Sequence, residues 1–206
     1  AISDVHIEGS SDAYANKFTA ALNQLKAKAA ENDANGIDGV LVAGDLIQKA
    51  EVTMAQNFKA LDEEVFNPTD VPMIYTVGNH DMNPKCHWTP STVAQSVAMA
   101  NTFGDDYFKT DIDNTMRNNY EARHCVIGGY HILAVTPNGD QPITYSPNVI
   151  TWLDQQLDAI TKTDPNRYVI VLTHPMIYNT IYGSLLGEDG GVWTSTLPNY
   201  WATRVL

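Results

Sequence analysis

YTVGNHDMNP, residues 75–84, sets an apolar run against three polar side chains in succession. Tyr75 to Val77 reads as the end of a buried strand, and Asn79, His80 and Asp81 follow almost at once. Polar groups finish a core strand poorly, because each must find a partner or water. They are well placed to build a site at the mouth of the strand.

The same arrangement recurs along the chain. GVLVAGD (39–45) is a continuous apolar run ending in Gly44-Asp45, AISDVH (1–6) ends in Asp4-x-His6, and RYVIVLTHP (167–175) runs into Thr173-His174. Unbroken apolar runs of this length are typical of strands covered on both faces in a parallel sheet. Helical spacing lies between them: Phe18, Leu22, Leu25 and Ala29 within 14–31, and Phe58, Leu61 and Val65 within 50–66. A third helix follows Ser146-Pro147, with Ser as cap and Pro in the first turn, and carries Ile150, Leu153, Leu157 and Ile160. YEARHCVIGGYHILAVT (120–136) reads as two strands joined at Gly128-Gly129. Alternating strands and helices predict an α/β fold with a largely parallel sheet and antiparallel additions. A single domain over 1–206 is expected, with the turn-rich 82–116 as an inserted loop region over the site.

With 206 residues and 44 % hydrophobic composition, the chain can bury one sizeable core. Its net charge of −12 and the lack of a basic cluster argue against a nucleic-acid partner. No apolar run approaches the roughly 18 residues of a membrane-spanning helix, so no membrane insertion is expected. Residue 1 falls inside a strand pattern, so sequence upstream is compatible with secretion; the acidic composition, rich in Asn and Tyr, leans weakly toward a secreted or periplasmic bacterial protein. Cys86 and Cys125 fit either one disulfide or two thiols, and their spacing matches no zinc motif.

In open α/β sheets, ligands bind beyond the carboxyl ends of the strands. Each polar group there has an ordinary reading taken singly: Asp as a cap or turn former, Gly-Asn as a turn, a lone His as a satisfied surface group. Their combination is less ordinary, since three of the six histidines stand at strand ends beside Asp, Asn or Gly. Mixed imidazole nitrogen and carboxylate or amide oxygen suits Mn, Fe or Zn better than Ca. The absence of cysteine from the set argues against a structural zinc site.

Asp4-x-His6, Gly44-Asp45, Gly78-Asn79-His80-Asp81 and Thr173-His174, in this order and spacing, resemble the calcineurin-like metallophosphoesterases. The resemblance covers residues 1 to about 175. It implies two packed mixed β-sheets flanked by helices, a four-layer α/β/β/α sandwich. It implies two divalent metal ions, with Asp4 and His6 on the first, Asp45 bridging both, and Asn79 and His174 on the second. His80 would contact the substrate phosphate and help the leaving oxygen depart, while Asp81 either orients an imidazole or caps the loop. The implied activity is hydrolysis of a phosphomonoester or phosphodiester by hydroxide held between the metals. This chemistry fits the residue types. Two cations clamp phosphoryl oxygens and acidify water. A carboxylate offers an oxygen to each ion, and an amide ligand limits the site's negative charge.

Two departures stand out. The family's later Gly-His-x-His loop is absent, and no histidine follows His174. A fragment of a longer enzyme is the expectation, with a natural variant as the alternative, and the chain as written is expected to bind metals weakly. Gln48 stands where many relatives carry an Asp that pairs with the catalytic His, which weakens a protein-phosphatase assignment. The purple acid phosphatase branch is disfavoured by His6, where it has Gly, and by the lack of its Tyr ligand at position 48.

His87 and Trp88 are further substrate candidates, as are Tyr178, Tyr182, Trp193, Tyr200 and Trp201; packing is the simpler role for the tail aromatics. His124 and His131, in the hairpin, read as structural. A small-molecule phosphate ester is the expected substrate. The rivals are a nuclease of the same superfamily and a non-catalytic binding domain of a larger protein.

Overall fold

Helix α1 (Ala13–Ala29) begins where Asp12 turns its carboxylate back on the chain. Asp12 Oδ1 accepts from Ala15 N at 2.8 Å, and Oδ2 accepts from Gly9 N at 2.7 Å and Glu8 N at 3.3 Å. One side chain thus supplies a partner for one amide of the first turn and folds the loop that leads in from His6. Lys26 and Lys28 complete the other end, where positive charge favours the helix dipole. The computed structural model describes residues 1–31, 36–66, 71–82, 102, 122–136, 145 and 147–174.

After α1 come β1 (Val40–Ala43), α2 (Val52–Val65), β2 (Met73–Thr76) and a single helical turn, α3 (Asn79–Met82). Strands β1 and β2 pair in parallel, Val40 against Met73 through Ala43 against Thr76. The second sheet has the order β3 (Ala122–Ile127), β4 (Tyr130–Val135), β5 (Val169–Leu172), antiparallel then parallel. Between β4 and β5 runs α4 (Pro147–Thr163). Gly128 and Gly129, at φ 56° and 82°, form the two-residue turn of the β3–β4 hairpin. Both central residues need positive φ for the turn to match the strand twist, and glycine adopts it without penalty.

Three apolar clusters join these elements. Phe18 and Leu22 of α1 and Phe58 and Leu61 of α2 cover the first sheet through Val40, Val42 and Tyr75. The Phe18 and Phe58 rings stack at 5.1 Å, and Phe58 meets Tyr75 edge-on at 6.0 Å. Val149, Trp152, Leu153 and Ile160 of α4 cover Leu133 and Val135 of the second sheet. Ile74 of β2 packs with Ile132, Ala134 and Leu172, which brings the two sheets together.

Three expectations are corrected. Of the two sheets, only the second is mixed among the described residues. The N-terminal segment forms isolated parallel bridges, Ile2 to Val42 and Ile7 to Ile47, instead of a strand. Asp4 and His6 between them sit at φ 55° and 53°, which breaks the pleat. Strand β5 is not fully buried: Ile170 is 36 % exposed and only Leu172 is buried. It is the outer strand of its sheet among the described residues, so apolar composition alone did not reveal its uncovered side. Ser146 and most of 82–116 lie outside the described residues.

Replacing Asp12 by Ala is expected to cost about 1 kcal/mol in urea denaturation at neutral pH. Backbone donors, Ala15 first and then Gly9, hold the Asp12 carboxyl below its usual range. Its contribution is therefore present above the unfolded carboxyl's pKa and is lost as pH falls through the lower folded value. The gap between wild type and Asp12→Ala should narrow across that acid range.

Candidate metal centre

Three of the expected ligands hold backbone conformations that glycine usually occupies. Asp4, His6 and Asp45 have φ 55°, 53° and 52°. Non-glycine residues in this region cost on the order of 1–3 kcal/mol each and persist where surrounding contacts fix them. Those contacts are backbone bonds between two neighbouring segments: Asp4 N to Gly44 O at 3.2 Å, His6 N to Asp45 O at 2.9 Å and Ile7 N to Leu46 O at 3.1 Å.

Two glycines let the strand ends close up. A Cβ on Gly44, itself at φ 76°, would lie 2.7 Å from both Gly78 N and His174 Cβ. A Cβ on Gly78 would lie 2.1 Å from Asp45 Oδ1 and 2.4 Å from Asp45 N. The Gly before Asp45 and the Gly before Asn79 are thus clearance for the carboxylate and for His174. The repeated Gly-polar pattern in the sequence was the available signal for this.

Asp45 lies at the centre and is nearly buried, with 4 % of its side chain exposed. Its Oδ2 is 3.3 Å from His174 Nε2 and 3.7 Å from His6 Nε2, and its Oδ1 accepts from His80 N at 2.9 Å. His6 Nε2 is also 3.9 Å from Asp4 Oδ1. Ligating atoms of His6, Asp45 and His80 fall within 4.8 Å of one another, and so do those of Asp4, Asp45 and His174. Asp45 belongs to both groups. The structure thus gathers Asp4, His6, Asp45, Asn79, His80 and His174 at one edge.

The donor set fits a cation. His174 Nδ1 lies 2.7 Å from the Ala43 carbonyl and must donate to it. In a neutral ring this leaves a lone pair on Nε2, yet Nε2 faces Asn79 Oδ1 at 3.1 Å and Asp45 Oδ2 at 3.3 Å. Three acceptors converge, and only a cation or a proton reconciles them. Burial opposes charge on His174, but the hydrogen bond and charge of Asp45 outweigh it and raise the ring's pKa to about 9. Burial likewise pushes Asp45 up, and His174 overrides it, so Asp45 lies below its usual value. A divalent ion would replace that proton.

The remaining residues hold the frame. His80 Nδ1 lies 2.8 Å from the Gln48 carbonyl, so a backbone oxygen fixes the ring. The His80 ring stands edge-on to His6 at 4.5 Å between centroids. Sequence reading missed the backbone partner, since every residue type has a carbonyl. Asp81 is fully buried and accepts from Ile47 N at 3.0 Å and Gly78 N at 2.8 Å, which makes it a clasp between loops. Burial first, then the charge of Asp45, push its pKa up to about 7. His124 and His131 stand apart from the cluster, their rings 2.9 Å apart at Nε2 and Nδ1, with His131 Nε2 3.5 Å from Asp164. His87, Trp88, Cys86 and the tail aromatics from Tyr178 to Trp201 lie outside the described residues. Among the described residues, no helix is long and apolar enough to cross a membrane.

A family model described as calcineurin-like phosphoesterase matches residues 1–197. No curated protein matches the chain.

Substituting Gly78 by Ala should force the two loops apart, because backbone and carboxylate both occupy the space of the new Cβ. A loss of about 1–3 kcal/mol is expected in chemical denaturation, as for other overpacked sites. Retained Mn²⁺ in equilibrium dialysis should fall with it.

Proposed function

This chain belongs to the calcineurin-like phosphoesterase family, and on that premise we propose that it hydrolyses a small-molecule phosphate ester with two divalent cations held on either side of Asp45. The family acts by metal-dependent phosphoester hydrolysis. The observation that carries the finer reading is the position of Asp45, whose buried carboxylate lies within 4.8 Å of a ligating atom of His6 and, in a second group, of Asp4 and His174. When bound, the two cations supply positive charge to the phosphoryl oxygens and acidify nearby water. Mn, Fe and Zn all suit the donors.

The chain's own residues do the rest. Asp45 would be the ligand that the two cations share. Asp4, His6, Asn79 and His174 supply the other ligands, and Asn79 adds an oxygen without adding charge. The Ala43 carbonyl fixes the His174 tautomer, as second partners of ligating histidines commonly do. His80 is held at both ends, its amide on Asp45 Oδ1 and its Nδ1 on the Gln48 carbonyl. With Nδ1–H on that carbonyl, His80 would act as an imidazolium, its Nε2–H passing a proton to the departing ester oxygen. The net charge of −12 favours a small phosphomonoester or phosphodiester over nucleic acid. The three left-handed residues support a positioned site. We also read the two sheets as the inner layers of an α/β/β/α sandwich, with α1 and α2 outside one and α4 outside the other.

The test counts metal and turnover together. Under saturating Mn²⁺, which the weak binding expected from the sequence calls for, the chain should hold about two ions and hydrolyse a chromogenic phosphate ester. Asp45→Asn should lose both properties. His80→Ala should keep the ions and lose about 10²- to 10⁴-fold in rate, the usual range for a positioned proton donor. Ion binding that survives Asp45→Asn, or turnover untouched by His80→Ala, would overturn the assignment.

A further inference from the structure

The cluster is open on one side. Asp4 leaves 57 % of its side chain exposed, against 4 % for Asp45, and Asp4 also lines a hollow of about 280 Å³. Ile2, Phe18 and Ala21 give it apolar walls, and Tyr14 and Lys17 of α1 stand with them. Sites for whole drug-sized ligands start at about 300 Å³, so this hollow suits one part of a substrate.

Tyr14 links the hollow to the reacting end. Its ring lies 6.4 Å from that of His6, tilted at 57°, and Lys17 Nζ sits 5.7 Å from its centroid. The lysine pins the ring through the charge–quadrupole attraction. Half of Tyr14 nonetheless remains exposed. A large aromatic surface held in place beside a metal ligand, over apolar walls, matches a flat apolar group better than a polar chain.

We propose that this hollow receives the organic ester group of the phosphate substrate and selects for an aromatic ring. The inference rests on the phosphoesterase reading. A phosphoryl group at the cluster would project one ester substituent past Asp4, between segment 2–5 and the face of α1 that carries Tyr14, Phe18 and Ala21.

The test compares benzyl and methyl phosphate esters, whose alkoxide leaving groups are similar in basicity, so that the ring is the main difference. Wild type should favour the benzyl ester about ten- to a hundredfold in kcat/KM, the scale of burying one ring. Tyr14→Ala removes a wall and Ala21→Trp fills the space, and either should bring the ratio close to one. A merely structural role would lower both esters together and leave the ratio unchanged. Tyr14 is half-exposed, so its variant tests the idea even if Ala21→Trp fails to fold. Methyl ester turnover without a benzyl preference, or a preference that survives both variants, overturns the hollow's role and leaves the phosphoesterase reading standing. Turnover of neither ester overturns both.

Discussion

One buried carboxylate sets the geometry on which the rest depends. Asp81 accepts from the amides of Ile47 and Gly78, which follow β1 and β2 respectively. Parallel pairing aligns the two strands but says nothing about the loops beyond them. Asp81 ties those loops together, at the cost of a desolvated acid close to Asp45. Because Gly78 has no side chain, the tie draws its backbone up to Asp45 and delivers Asn79 and His80 alongside.

The frame built in this way is strained and short of positive charge. Three candidate ligands lie in the left-handed region, and carboxylate, amide oxygen and imidazole nitrogen converge in a largely buried space. Neither feature serves folding alone. Both become intelligible once a cation is part of the balance, since it turns mutual repulsion among acceptors into shared attraction.

Much of the fold could be read from the sequence because it rests on periodicity. The faces of α1, α2 and α4, the paired β1 and β2, and the Gly128-Gly129 hairpin all follow from apolar spacing or turn chemistry. The candidate ligands could be read as polar groups at expected strand ends. What escaped was carried by the backbone or by neighbours distant in sequence. Positive φ at Asp4 and His6 has no side-chain signature, so a strand was expected where only bridges form. The apolar run of β5 could not show that its outer side is uncovered. The Gln48 carbonyl is silent in any sequence. Tyr14, at the start of the helical pattern over 14–31, carries no sequence signal of its place beside His6, because the loop folded by Asp12 lies between them.

The His174 side chain crosses from the second sheet to the first, reaching the Ala43 carbonyl and Asn79. Among the described residues, the other candidate ligands all come from the first sheet or the segments beside it. The centre is therefore a rivet through the seam between the sheets, and any ion that binds only the folded state adds to the free energy holding them together. Slippage of one layer against the other would register as weaker affinity, and scarcity of the ion as a looser seam.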